Sequence, residues 1–225
     1  FDKDGDIDLI AGNAGENIKF KPTAKHPLKL YLKDFDNDGQ LDQVLTYFLG
    51  GREIPFANYA ELTKQFAFLK KKYPFSRDLA VEPLNNIFGK KNLKEAKILE
   101  ATMLSSVLFE NTGDDLKFLV HRLPDEIQYS SLEAGTIIKI DNGNKTNIIT
   151  GGNFYGANIE MGRSDASYGN LLTIDNNNTF AAHPLGDLII KGQVRRMDQI
   201  KINNVMCYLI ARNDEKLVVI KPEIE

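Results

Sequence analysis

Cysteine is almost absent from this sequence. Cys207 is the single thiol in 225 residues, so no intrachain disulfide can form and none is available to staple the fold. It stands in the apolar stretch NNVMCYLIA, where a thiol behaves as a small buried hydrophobe and needs no chemical role. Long hydrophobic runs are missing too. No stretch of about 18 apolar residues exists to span a bilayer, and no signal peptide is visible. Charge of one sign is not in excess: 28 basic against 31 acidic residues give a net charge of −3, which makes no electrostatic case for nucleic acid. Histidine is scarce. His26, His121 and His183 lie far apart, with no HExxH and no Cys/His metal spacing. A GxSxG elbow and a phosphate-cradling glycine loop are likewise lacking. Nothing assembles a catalytic constellation, and the expectation is a protein that is not an enzyme.

What is present is an ordinary globular composition, 42% hydrophobic and 26% charged, on a chain long enough to bury a substantial core. Its most informative segment is DFDNDGQLD. Asp34, Asp36 and Asp38 alternate with non-ligands, Gly39 permits a sharp turn and Asp42 follows three residues later. Such spacing wraps several hard oxygens around one Ca²⁺, with Asp34, Asp36, Asp38 and Asp42 as side-chain ligands and Gln40 offering its backbone carbonyl. Four carboxylates this close repel one another without a cation, so the ion would be structural. An EF-hand is excluded, because its twelfth position requires glutamate and here holds Leu45. The β-branched and aromatic DQVLTYF that follows predicts a strand.

The chain opens with FDKDGDIDL, the same loop lacking its first aspartate. Asp2, Asp4 and Asp8 occupy ligand positions and Asp6 the carbonyl position, so weakened binding and no ordered ion are both open. This start predicts that the residues are the C-terminal piece of something longer.

A calcium loop feeding a strand resembles the FG-GAP/VCBS repeat of integrin-like β-propellers. The phrases DIDLIAGNAGENIKFK, LYLKDFDNDGQLDQVLTYFLGGREIPF and ITGGNFYGANIEMGRSDASYG look like the C-terminal part of bacterial cartilage-acidic-protein-like (ASPIC/UnbV-associated) VCBS proteins. The resemblance implies a β-propeller, usually of about seven blades, on a secreted or surface-attached protein, and it implies no particular reaction. Residues 1–225 are then the C-terminal part of such a propeller, mainly β, about three blades plus a fragment, with the other blades on the N-terminal side. Aligned on Gly151 and Gly152, a third loop places Lys139 at the first ligand position, Asp141 at the third, Gly143 at the fifth and Asn147 at the ninth. Two readings stand there: a Lys139–Asp141 pair replacing the ion, or an ordinary hairpin turned at Asn142-Gly143. A faint fourth repeat is VRRMDQIKINNVMCYLIARN.

Strand-like runs (LKLYL, SVLFEN, KFLVHRL, GTIIKI, NIIT, NLLTI, DLIIKG, YLIAR, LVVIK) fit an all-β body. Residues 56–100 read instead as a small helical insertion. Asn58 caps a first helix with Glu61, its face formed by Tyr59, Leu62, Phe66, Leu69 and Tyr73 and its end by Lys70, Lys71 and Lys72. Shorter helices follow at Pro83 to Phe88, stopped by Gly89, and at Leu93 to Leu99, capped by Asn92.

Outside the acidic loops, the segment Gly151 to Asn170 mixes Phe154, Tyr155 and Tyr168 with Asn153, Arg163 and Asp165. That mixture suits stacking on and hydrogen-bonding a polar ligand such as a glycan, and equally suits pinning neighbouring blades. Arg52 and Glu53 in LGGREIPF add to this set. The functional expectation is a calcium-binding, non-catalytic module at the cell surface, outside the cell or in the periplasm, whose partner is a protein or a polysaccharide. The alternatives are the substrate-binding part of a carbohydrate-active enzyme and a purely architectural scaffold.

Overall fold

The computed structural model describes residues 1–2, 4–113, 117–140, 145–175 and 177–221. The chain is mainly β, with 40% of the described residues in strands and 16% in helices. In chain order the strands and helices are β1 (Leu9–Ala11), β2 (Leu28–Lys33), β3 (Asp42–Leu49), β4 (Arg52–Pro55), α1 (Tyr59–Gln65), α2 (Ala67–Lys72), α3 (Ser76–Ala80), α4 (Leu84–Phe88), α5 (Lys90–Glu95) and β5 (Lys97–Ala101). There follow β6 (Val107–Asn111), β7 (Phe118–Arg122), α6 (Asp125–Gln128), β8 (Leu132–Ile138), β9 (Lys145–Gly152), β10 (Asn170–Asp175), β11 (Phe180–Pro184), β12 (Val194–Ile202), β13 (Val205–Arg212) and β14 (Val218–Ile220). Among the described residues they form four antiparallel sheets, none of them closed. Two compact units result, one from residues 20–103 and one from residues 1–19 with 104–225.

The 20–103 unit is a sheet of order β4-β3-β2-β5 with helices packed on one face. Alternation along β3 sends Val44 and Thr46 to the buried side, where Val44 pairs with Tyr31 of β2. Asn58 begins α1 with a capping box: its Oδ1 accepts the Ala60 and Glu61 amides, and Glu61 reaches back to the Asn58 amide. The expected first helix is in fact two. The backbone leaves helical geometry at Phe66 (φ −117°, ψ 89°), and the Phe66 ring is wholly buried against Phe35, Phe68 and Phe88. Packing of one large aromatic ring overrides a continuous helical pattern here. Leu62, Phe66, Leu69 and Tyr73 nonetheless share one core with Leu79, Leu84, Ile87, Phe88 and Leu93, as their spacing requires.

Differences at the end of this segment have local causes. Helix α4 ends at Gly89, whose φ of 85° suits glycine, but the next helix starts at once with Lys90, so Asn92 is interior and begins no helix, its Nδ2 instead donating to the Phe88 carbonyl at the end of α4 at 3.1 Å. Lys97, Ile98 and Leu99 are in strand β5, which pairs with β2. Pairing to an open sheet edge outweighs the helix propensity of this lysine-rich stretch.

In the other unit, three sheets follow one another: β1-β6-β7, the meander β8 to β11, and β12-β13-β14. The meander is covered on both faces. Ile148 packs with Leu108, Leu123, Ile127, Leu172 and Ile174 on one side, whereas Ile149 packs with Ile190, Val194, Met197 and Ile210 on the other. Strand β9 is therefore buried along nearly its whole length. The two glycines closing it leave no room for side chains. A Cβ on Gly152 would lie 1.6 Å from the Ser131 carbonyl oxygen, and one on Gly151 would lie 2.7 Å from Met197 Cε. The β12–β13 hairpin turns through Asn203 and Asn204, both at positive φ, the two-residue turn that matches strand twist. Cys207 is buried in β13. The run DLIIKG forms no strand, although Ile190 is buried and its amide donates to the Tyr168 carbonyl at 2.8 Å. Of the third acidic-loop position, Lys139 is exposed, and Asp141, Asn142 and Gly143 lie outside the described residues, as does any pairing made there.

Candidate functional site

The loop between β2 and β3 brings acids together. Asp34, Asp36 and Asp42 each offer a carboxylate oxygen, and these oxygens lie within 4.8 Å of one another, the one such group of three among the described residues. Local hydrogen bonds set this geometry. Both oxygens of Asp34 accept amides, from Asp38 at 3.2 Å and Gly39 at 2.9 Å. Asp42 Oδ2 accepts the Phe35 amide at 2.9 Å and Oδ1 accepts Gln65 Nε2 at 3.2 Å. Positive φ at Asn37 and Gly39 folds the chain back so that these amides point inward. Phe35 beneath the loop is buried in the core, which anchors the turn.

Electrostatics mark the same cluster. Lost hydration raises the Asp36 carboxyl above its ordinary value, and the charges of Asp38, Asp42 and Asp34 raise it further against one lowering bond from the Asp38 amide. The donor set suits a hard cation. Two oxygens each about 2.4 Å from one calcium ion can be at most about 4.8 Å apart, so the spread of the three carboxylates permits a shared ion. Half-buried acids of this kind do not by themselves select calcium. Asp38 and Gln40 stand outside the triad, both exposed, with Asp38 Oδ1 accepting the Gln40 amide at 2.8 Å.

The first loop repeats part of this geometry, without a counterpart to the two bonds that Asp34 accepts. The Asp4 amide donates to Asp2 Oδ1 at 3.2 Å as Asp38 does to Asp36 at 3.3 Å, and the Asp6 amide donates to Asp4 Oδ1 at 3.0 Å as Gln40 does to Asp38. The Phe1 nitrogen donates to Asp8 Oδ2 at 2.5 Å as Phe35 does to Asp42. Gly5 and Gly39 share positive φ. Among the described residues its acids do not gather as a triad: the position that Asp34 fills in the second loop precedes Phe1, and Asp8 Oδ1 accepts the Asn111 amide at 3.0 Å. Asp6 is raised by lost hydration and then by Asp4 and Asp8, and among the described residues its Oδ1 is buried without a hydrogen-bond partner.

The candidates in the 151–170 segment divide by role. Asn153 is only 1% exposed, and its amide is saturated: Oδ1 accepts Ser130 Oγ and the Ser167 amide, while Nδ2 donates to the Ser167 and Gly192 carbonyls. No hydrogen-bonding capacity remains there for a ligand. Phe154 and Ser164 pair backbone to backbone, and Ser164 Oγ joins Ser130, so the loop is pinned at its neck. Beyond the neck the side chains are free to make contacts. Phe154, Arg163, Asp165 and Tyr168 are exposed, and the Arg163 guanidinium lies 5.0 Å from the centre of the Tyr155 ring. Phe154 and Arg163 line a cavity of about 450 Å³ together with Asn13, Asn17, Met161 and Ser164. The same cavity has one lining carboxylate among the described residues, Glu133, which is paired with Arg195 at 3.1 Å.

Arg52 and Glu53 belong to the other unit. Glu53 Oε1 accepts Tyr31 Oη at 2.9 Å and Thr46 Oγ1 at 2.7 Å, and Arg52 Nη2 donates to the Val81 carbonyl at 3.0 Å. Sequence reasoning missed Gln65 as the side chain supporting Asp42, and missed Arg195, which stacks over Phe154 at 5.7 Å and bonds Gln193. No local pattern announces either one, because Gln65 meets Asp42 and Arg195 meets Phe154 across long sequence separations. Compared with protein-family profiles, with curated proteins and with solved structures, the chain matches none.

Proposed function

We propose that this chain is a non-catalytic calcium-binding β-module, part of a propeller of the FG-GAP/VCBS type, which presents loops to a protein or polysaccharide at the cell surface, outside the cell or in the periplasm. The observation that carries the reading is the convergence of Asp34, Asp36 and Asp42 at the entrance to β3. When bound, the ion would neutralise clustered carboxylates, among which Asp36 is raised by lost hydration and then by its neighbours' charges, and so would stiffen the turn. Three consecutive antiparallel sheets with apolar clusters between them support the blade arrangement, about three blades plus a fragment. The cavity beside Phe154 and Arg163 supports binding of a polar ligand.

A glycosidic reaction needs two carboxyl groups flanking the bond. Glu133 alone lines the aromatic cavity among the described residues, and its charge is engaged by Arg195, which favours binding over the carbohydrate-active enzyme. No helix among the described residues is long and apolar enough to cross a membrane. Thermal melting with calcium and with chelator tests the proposal. At a calcium concentration about 100-fold above its dissociation constant the folded state gains about 2.7 kcal/mol, a shift of several degrees. An unchanged melting temperature removes the calcium role. Glycan-array binding with and without calcium then separates a binding module from a bare scaffold.

A further inference from the structure

A second cavity, of about 460 Å³, lies within residues 20–103. Arg52 at the start of β4 and Lys90 and Lys94, one turn apart on α5, line it. Among the described residues none of these cations has a carboxylate partner. Glu95 is taken by Lys33 at 3.3 Å and by Lys91 at 3.8 Å, and Arg52 holds the Val81 carbonyl. The one lining acid, Glu53, is already engaged by Tyr31, Thr46 and, at 3.5 Å, the Lys29 ammonium. Three positive charges therefore face one internally compensated negative charge, on a chain whose net charge is −3.

We propose that this cavity holds the oxyanion of an acidic saccharide, a sugar ring carrying a carboxylate or a sulfate. The proposal rests on the polysaccharide reading above and names the class of sugar. Unpaired cations around a concavity concentrate anions, and a guanidinium grips a carboxylate or sulfate with two parallel bonds. Leu84, Leu93 and Ile98 give the cavity aliphatic surface that suits the C–H face of a sugar ring, and the exposed Asn85 adds an amide able to bond a hydroxyl. Its one aromatic residue, Tyr31, is buried with its hydroxyl bound to Glu53, so no exposed ring is offered for stacking a nucleobase. The volume falls in the range of about 300–1,000 Å³ usual for small-ligand sites.

The test is calorimetric titration of the full chain, with calcium and with chelator, using trigalacturonate, a sulfated trisaccharide and neutral maltotriose at low and high ionic strength. Binding of an acidic trisaccharide that weakens as salt rises is expected, and the two acidic probes reveal which oxyanion is preferred. The double variant Lys90→Gln/Lys94→Gln, both exposed positions, should weaken it by about tenfold while melting temperature and calcium binding stay unchanged. Arg52→Gln should act in the same direction. Equal binding of maltotriose would leave saccharide binding standing and overturn the anion preference. Acidic saccharides bound undiminished by the double variant would overturn the cavity assignment, and failure of all three saccharides would overturn this inference together with the polysaccharide reading. Calcium binding is measured in the same samples, so its loss or retention is scored separately.

Discussion

Replacing Asn153 with alanine separates a structural hub from a ligand contact. The side chain is buried and its four hydrogen bonds hold the neck of the 151–170 loop. Truncation leaves the Ser167 amide, the Ser167 carbonyl and the Gly192 carbonyl without this partner, whereas Ser130 Oγ keeps Ser164 Oγ at 2.8 Å. Three orphaned groups at about 1 kcal/mol each amount to about 3 kcal/mol. Asn153 also sits at φ 80°, a region asparagine tolerates better than alanine, which adds about 1 kcal/mol. Asn153→Ala should therefore cost about 4 kcal/mol and Asn153→Gly about 3 kcal/mol, because glycine relieves the backbone contribution alone. Urea unfolding followed by far-ultraviolet circular dichroism measures both. A loss below about 1 kcal/mol in Asn153→Ala, or a glycine variant less stable than the alanine variant, would refute the reasoning.

Three further outcomes are expected. Phe66→Ala, which empties a fully buried site among Phe35, Phe68 and Phe88, should cost about 3–5 kcal/mol in urea unfolding, and a small loss would deny that this ring organises the helical layer. Gly152→Ala forces a methyl onto the Ser131 carbonyl and should destabilise by about 1–3 kcal/mol, checked by thermal melting; a neutral result would contradict the close approach of β9 and β8. The third concerns pH. Asp36 has a folded value above its unfolded one, so its ionisation costs stability in the metal-free protein, a penalty absent below pH 3.8 and complete above the raised folded value. Lowering pH through that window relieves the chelated protein and makes protons compete with the ion, so the gain in melting temperature from calcium should shrink; a gain independent of pH would contradict the assignment.

Much of this chain was readable because its signals are local. Asp34 to Asp42 announces itself within nine residues, and Asn58 with Glu61 is a cap that needs nothing beyond its own turn. Strands such as LKLYL and NLLTI carry β-branched or aliphatic runs between turn residues, and they form β2 and β10 as expected. What escaped depends on distant partners. The break at Phe66 is set by Phe35 and Phe88, and the strand character of Lys97 to Ala101 is set by the open edge of β2. Asn153 reads as a polar residue in a glycine-rich loop, yet its surroundings come from Ser130, Ser167 and Gly192, up to 39 residues away. The correspondence of the two acidic loops was legible in the order of their aspartates, as was the lack of a counterpart to Asp34 ahead of Phe1, whereas the bond from the Asn111 amide to Asp8 was not.

The most direct measurement is calorimetric titration of calcium into chelator-stripped protein and into Asp36→Asn and Asp42→Asn variants confirmed folded by circular dichroism. Saturable binding tighter than about 10⁻³ M, weakened at least tenfold in both variants, is the predicted result. No binding up to about 10 mM, or binding indifferent to both substitutions, would contradict it.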